Sequence, residues 1–243
     1  YWVNTTVRPV DDVRVRQALS LAIDRQAIVE HVTRGKQIPT ADLVPDGLAG
    51  YKGLHRPLFD TSRAKALLAD AGYRDGAGFP TLRLTYNFTE GHKQIAEAVQ
   101  QMWKKNLGVE VELENQEWKV FLKNLDMQEF QIARLGWVGD YADPFTFLEL
   151  LTRSNGNNHS NWGSQEYDRL LKQANATQEP SQRLALLREA EALAMEQVPL
   201  IPLYIYTSTT LWKPYVKGIS ANFHNRHPFK HIWIDPEAGV RRD

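Results

Sequence analysis

The chain has 243 residues, with 29 basic and 29 acidic side chains and no cysteine. This length can bury a core in one large or two small domains. The balanced charge gives no field that would recruit nucleic acid or an anionic membrane, and no apolar run is long enough to insert across a bilayer. The absence of cysteine excludes disulfides, cysteine-ligated zinc and thiol nucleophiles.

The amino-terminal third predicts a short strand followed by helices. Apolar spacing and capping residues predict, in chain order, a strand at 1–6, a helix capped by Asp11 or Asp12, its continuation from Asp24 to Gly35, a Pro- and Gly-rich loop at 38–55, and a helix at 61–71 that stops at Gly72.

The middle of the chain predicts a strand–helix–strand unit at 82–86, 92–106 and 109–113. This spacing indicates a right-handed crossover between parallel strands. The remaining elements predicted are a short helix at 118–125, a strand ending at Arg134, helices at 145–151, 165–174 and 181–197, and an apolar strand at 199–206. Strands that alternate with helices indicate an α/β lobe.

The two ends of the chain lack partners for a domain of their own. Residues 1–9 and the irregular segment 208–243 are therefore expected to belong with a second lobe of a larger protein. We expect residues 1–9 to be a remnant of that first lobe, residues 10–207 to form a ligand-binding lobe, and residues 208–243 to return toward the first lobe.

The segment 134–144 (RLGWVGDYADP) concentrates polar chemistry where a buried strand ends. Such segments commonly carry the ligand site of an α/β protein. Asp140 can accept a hydrogen bond from an ammonium group, Arg134 can bind a carboxylate with both guanidinium arms, and Trp137 offers a flat apolar wall. Together they would suit a zwitterion such as a peptide. The alternative is an ordinary turn with a surface ion pair.

Six segments resemble, in order and nearly end to end, signatures of the oligopeptide-binding proteins of bacterial ABC importers, extracellular solute-binding protein family 5. They are 12–25 (DVRVRQALSLAIDR), 103–109 (WKKNLGV), 114–118 (ENQEW), 136–141 (GWVGDY), 199–204 (PLIPLY) and 212–218 (WKPYVKG). The resemblance implies the carboxy-terminal lobe of a type II periplasmic-binding-protein-like fold, a mixed sheet flanked by helices with terminal strands that belong to the other lobe. In this family two lobes close over an extended peptide that is held through its backbone.

The resemblance also implies roles for individual residues. Asp140 would hold the α-ammonium of the peptide, and Arg134 and His92 would meet its carboxylate end. The other expected ligand contacts are Asn87, Gly136 and Val138 at the ligand or its backbone, Trp118 and Trp137 in side-chain pockets, and Tyr206 near the return segment. Leu125 stands where the best-known members often have an arginine, and Val138 replaces a cysteine of some relatives. Peptide length therefore stays open, and so does a murein peptide as ligand.

The expected function is peptide binding without catalysis, cofactor or metal, in partnership with the membrane permease subunits of an importer and not with nucleic acid. The expected location is the periplasm, or the cell exterior through a lipid anchor. Three alternatives remain: a hydrolase that uses Asp140 and Asp143, the sensing domain of a regulator, and a metal site at His224, His227 and His231. Proline 228 within the histidine group favours a surface loop there.

Overall fold

A central mixed sheet organises the fold in the computed structural model, which describes residues 1–220, 222–223 and 225–238. The strands are β1 (Trp2–Val3), β2 (Ile38–Pro39), β3 (Leu82–Asn87), β4 (Val111–Gln116), β5 (Ile132–Ala133), β6 (Tyr204–Ile205), β7 (Val216–Lys217) and β8 (Trp233–Ile234). The α-helices are α1 (Val13–Leu21), α2 (Arg25–Ala27), α3 (Thr61–Asp70), α4 (Glu90–Leu107), α5 (Trp118–Asp126), α6 (Phe145–Leu148), α7 (Gln165–Ala176) and α8 (Pro180–Gln197).

The sheet has the strand order β1-β5-β3-β4. Strand β3 is parallel to both β4 and β5, and α4 connects β3 to β4. The predicted parallel crossover is therefore confirmed. Strand β1 runs antiparallel to β5, with Trp2 opposite Ala133 and Val3 opposite Ile132.

Helices cover both faces of this sheet. Val3 and Ile132 pack in a core with residues of α1, α3 and α4, whereas Trp2 and Ala133 pack in a second core with residues of α5 to α8. Successive strand residues point to opposite faces, so each of these short strands contributes to both cores. The α/β class with a mixed sheet between helices is confirmed.

The amino-terminal strand is a full member of this sheet. In addition to its pairing with β5, β1 is bonded on its other side by the segment 199–201: the Val3 N–H donates to the Pro199 carbonyl at 3.0 Å, and the Ile201 N–H to the Tyr1 carbonyl at 2.7 Å. Residues 1–3 are thus hydrogen-bonded on both sides within this sheet. The division at residue 9, and the role of residues 208–243, where β7 pairs with β8, stay predictions.

Helix boundaries follow the predicted caps closely. The Asp12 carboxylate accepts from the Arg14 N–H at the start of α1, and Gly108 ends α4 in the left-handed conformation. After α2 the chain differs from the prediction: Ile28–Thr33 is π-helical, and Arg34, rather than Gly35, takes the left-handed cap position.

Other differences are in the strands. Strand β4 begins two residues later than predicted, the apolar run 199–206 forms a strand only over Tyr204–Ile205, and the predicted loop 38–55 contributes β2, which pairs with β6. Within the described residues, none of the helices has the length and apolar character needed to cross a bilayer.

Two arginines of the 12–25 segment hold the fold together rather than a ligand. The Arg25 guanidinium is fully buried and donates to the Pro202 carbonyl at 2.8 Å, and Arg16 donates to the Gln197 carbonyl at 2.8 Å. Buried charged side chains need such partners. These bonds fix the segment 197–202, which contributes to the cavity described next.

Candidate ligand-binding site

A cavity of about 330 Å³ lies at the edge of the sheet where β3 and β5 end. Its walls include the segment after β5, the segment through β6, the start of β1, the loop after β2, and residues of α4 and α6. The carboxyl ends of parallel strands meet at one edge, and this is where α/β proteins usually bind ligands. The sheet therefore places the segment 134–139 in a wall of the cavity.

Most of the predicted contact residues come together here. The predicted residues that line the cavity are His92, Arg134, Gly136, Trp137, Val138 and Tyr206. Asn87 lies beside it, linked through His92, whereas Trp118 and Asp140 are not part of its lining. Their roles toward a ligand stay predictions.

Arg134 is fixed by contacts on both its main chain and its side chain. Its N–H donates to the Thr85 carbonyl at 2.8 Å, which extends the β5–β3 ladder by one residue. Its guanidinium donates to the hydroxyl of Tyr206, whose ring packs edge-on against Tyr204 with centroids 5.4 Å apart. A cation held in this way is preorganised for an anionic ligand group.

Gly136 allows the close approach of Tyr206. A Cβ atom at position 136 would lie 3.0 Å from the Tyr206 ring, tighter than ordinary side-chain packing. The glycine therefore sets the position of the ring, and with it the hydroxyl that Arg134 uses.

His92 contributes a partly buried imidazole. The Thr89 hydroxyl caps α4 by accepting from the His92 N–H at 3.1 Å, and the ring Nδ1 lies 3.0 Å from the Asn87 carbonyl oxygen. Burial and the nearby Arg134 charge lower the pKa of His92 below its ordinary value. A neutral ring that donates from Nδ1 keeps Nε2 as an acceptor.

Trp137 has an unused hydrogen-bond donor. Its ring is half-buried, and its Nε1 is buried with no acceptor in the part of the chain that the structure describes. The next residue, Val138, is 72% exposed. Because this nitrogen is shielded from solvent in the present conformation, a ligand oxygen can pair with the indole N–H only after neighbouring side chains move aside.

Asp140 lies on the exposed surface beyond the cavity lining, and its main-chain N–H donates to the Thr146 hydroxyl at 3.0 Å. The Asp143 carboxylate, by contrast, is engaged in hydrogen bonds within the fold. Both of its oxygens accept from Arg183 at 2.8 Å, and one also accepts from the Phe145 N–H at 2.9 Å. Burial acts to raise the pKa of Asp143, but these hydrogen bonds outweigh it and lower the pKa below its ordinary value.

Two predicted positions lie elsewhere. The Trp118 side chain, at the start of α5, is 46% exposed and stacks on Phe121 with centroids 6.0 Å apart. Leu125, where the resemblance expects a basic residue, is buried in the second core. A basic side chain there would enter apolar packing, so leucine suits this position in the present fold.

Several lining residues were not predicted as site residues, among them Trp2, Thr40, Asp42, Tyr204 and the segment 200–203. The PLIPLY segment was a usable signal for Tyr204 and for the segment 200–203. Thr40 and Asp42 carried none, because their loop reaches the cavity only through the pairing of β2 with β6, which is distant in sequence.

Within the described ranges, no group of three or more His, Asp or Glu residues is placed to hold a metal ion. His224 lies outside the described residues. His227, another residue of the metal site considered from the sequence, has its ring Nε2 2.9 Å from Oδ1 of Asn225.

Comparison with known proteins identifies relatives that are bacterial solute-binding proteins. Residues 1–159 match the profile of the bacterial extracellular solute-binding proteins, family 5 Middle. The chain is 40% identical over 229 residues to the oligopeptide-binding protein OppA of Bacillus subtilis, covering 90% of this chain and 42% of the relative. It is 42% identical over 229 residues to the periplasmic murein peptide-binding protein MppA of Escherichia coli, covering 91% and 42%.

Among solved structures, a periplasmic oligopeptide-binding protein of Borrelia burgdorferi superposes with a TM-score of 0.87 at 37% identity. The match covers 96% of this chain and 47% of that one. The chain thus spans less than half the length of the curated relatives it matches.

Proposed function

Because the chain belongs to the bacterial extracellular solute-binding proteins of family 5, we propose that it is one lobe of a receptor that binds short peptides for uptake by an ABC importer. The observation that supports this most is the cavity at the carboxyl edge of the sheet, with a fixed Arg134 in an otherwise largely apolar and aromatic wall. Such a combination suits a small ligand that has an anionic end and an amide backbone.

The proposed chemistry assigns the carboxylate end of the peptide to Arg134. In the same lining, Trp137 offers an aromatic wall, and Nε2 of His92 can accept a hydrogen bond from a peptide N–H. A hydrogen bond to a charged group contributes about 1.5–3 kcal/mol, which corresponds to about tenfold to a hundredfold in affinity. Asp140, on the surface beyond the cavity, is proposed to meet the α-ammonium at the other end of the ligand.

The proposed ligands are short peptides, including murein peptides, since a relative bears that name. We propose that the second lobe completes the cleft and excludes water from it. Half a cleft leaves its ligand solvated, so the isolated lobe should bind more weakly than the complete protein. The proposed partners are permease subunits, and the proposed location is the periplasm or, through a lipid anchor, the cell exterior.

Binding without catalysis is the preferred function. A hydrolytic carboxylate pair at Asp140 and Asp143 is disfavoured, because Asp143 is engaged by Arg183 and the Phe145 N–H. A general base or nucleophile needs a carboxylate that can reach the substrate. The sensing domain of a regulator remains a second candidate. It predicts a DNA-binding domain in the complete protein, whereas transport predicts an export signal.

The test is calorimetry on the complete protein with a panel of peptides of two to five residues, followed by chromatography of the recovered peptides. We expect saturable binding of at least part of the panel and recovery of intact peptides. Absence of binding across the panel would contradict the proposed function, and cleavage products would favour the hydrolase.

A further inference from the structure

Asp42 gives the cavity a buried negative charge. It is the sole carboxylate among the described residues that line the cavity, and only 7% of its surface is exposed. Carboxylates are seldom buried to this degree unless a partner compensates the charge.

The partners within the fold are main-chain N–H groups. One carboxylate oxygen accepts from the His55 N–H at 2.7 Å, and the other from the Arg56 N–H at 3.3 Å. An ionised carboxylate offers about four acceptor positions, so capacity remains on both oxygens. These bonds orient Asp42 without neutralising it.

No ion pair between described residues includes Asp42. The guanidinium of the nearby Arg25 is directed at main-chain carbonyls, including those of Pro202 and Leu58. Burial lowers the pKa of Arg25 and of Arg56, and the Asp42 charge opposes that lowering, so both cations feel its field from a distance. Among the described residues, no cationic side chain is in direct contact with the Asp42 carboxylate.

The main chain around Asp42 is held rigidly. Its N–H donates to the Thr40 hydroxyl at 3.0 Å, and the N–H groups of the next two residues, Leu43 and Val44, both donate to one oxygen of Glu191 at 2.7 Å. Glu191 is fully buried on α8. A main chain fixed on both sides of a charged residue is typical of a preorganised binding group.

The neighbouring walls suit the side chain of a cationic residue. Trp2, Trp137 and Phe147 line the same cavity. Their apolar faces can cover the methylene stem of a lysine or arginine, and aromatic faces attract the cationic head. Arg134 remains available for an anionic group of the same ligand.

We propose that Asp42 is a specificity residue that makes the cavity prefer peptides with a cationic side chain. This rests on the proposed peptide-binding function and adds a side-chain preference to it. The preferred ligands are peptides that contain lysine, arginine or another residue with a side-chain amine, with the cation in contact with the Asp42 carboxylate.

The test is calorimetry on the complete protein with tripeptides that differ at one position, in which lysine, norleucine or glutamate is placed at each position in turn. We expect the lysine peptide to bind about tenfold to a hundredfold tighter than the norleucine peptide at one position, with glutamate weakest. Asp42→Asn should remove this difference between lysine and norleucine peptides. Asp46→Asn is the matched control, because Asp46 accepts from a main-chain N–H in the same loop but is not in the lining.

Equal affinity for lysine and norleucine peptides at every position would overturn the proposal and leave peptide binding intact. A lysine preference that persists in Asp42→Asn would also overturn it, and so would an equal loss for all peptides. If no peptide binds, the proposed function itself fails. The comparison of ligands on the unmodified protein does not depend on whether the variant folds.

Discussion

Arg134 donates a hydrogen bond to the hydroxyl of Tyr206, a residue 72 positions later in the chain. Arg134 directly follows β5, and Tyr206 directly follows β6, so this bond joins two walls of the cavity. The cation that we assign to the peptide carboxylate thus has its position set by the fold before a ligand arrives.

Replacing Gly136 with alanine should weaken peptide binding. The added Cβ would lie 3.0 Å from the Tyr206 ring, so the ring must move and Arg134 loses its hydrogen-bond geometry. We expect an affinity loss of about tenfold, measured by calorimetry. Gly156→Ala is the control, because a Cβ there meets no atom within 4 Å. Similar affinities for the two variants would contradict the assigned role of Gly136.

Glu191→Leu should destabilise the lobe by about 2–4 kcal/mol. The substitution removes the buried acceptor of three donors, the N–H groups of Leu43 and Val44 and the Tyr51 hydroxyl. Glu191→Gln keeps an acceptor oxygen and should lose less. Urea unfolding measures both, with the exposed Glu189→Leu on the same helix as the control. A loss in Glu191→Leu no larger than in Glu189→Leu would refute the argument.

Stability should decrease as the pH falls below the ordinary histidine pKa of 6.5, in part because of His159. Burial lowers the pKa of His159, an effect that Asp126 opposes, and its ring packs edge-on against Trp2 with centroids 5.6 Å apart. The unfolded chain therefore takes up a proton at a higher pH than the folded one. The stabilisation is complete above pH 6.5 and is lost as the pH decreases toward the lowered pKa.

Urea unfolding between about pH 5 and pH 8 measures this dependence. His159→Asn should show a shallower decrease in unfolding free energy over this range, and the exposed His31→Asn should retain the original one. An unchanged slope in His159→Asn would show that other groups cause the decrease.

Asp140→Asn should weaken the binding of peptides with a free amino terminus by about tenfold to a hundredfold, with nearly unchanged thermal stability. Asp140 is exposed, and its N–H bond to Thr146 does not involve the carboxylate, so the substitution keeps this main-chain contact. Amino-terminally acetylated peptides are the control and should bind equally to both proteins. Unchanged affinity for free-amino peptides would remove Asp140 from the site.

Local signals in the sequence predicted the helices well, because caps and apolar spacing act within one or two turns. Asp12 and Gly108 show this at the ends of α1 and α4. The pairings of β1 with β5 and of β2 with β6 join segments far apart in the chain, and these short strands carry too little local pattern to reveal their partners.

The contrast between local signals and contacts distant in sequence also explains which site residues were predicted and which were missed. Those just after β5, such as Arg134 and Trp137, were predicted from the end of one strand, and the cavity contains them. Asp42 was missed because Glu191, almost 150 residues away, holds its loop against the cavity. Trp118 was assigned from the resemblance alone, and in this lobe its ring stacks on Phe121 outside the lining.

The most direct measurement is the affinity of one short peptide as the free acid and as the carboxy-terminal amide, for the complete protein and for Arg134→Gln. Arg188→Gln, exposed on α8 and outside the lining, is the control. We predict that the unmodified protein and the control bind the free acid about tenfold to a hundredfold tighter than the amide, and that Arg134→Gln binds both alike. Equal binding of acid and amide by the unmodified protein would contradict the assignment of Arg134 to the peptide carboxylate.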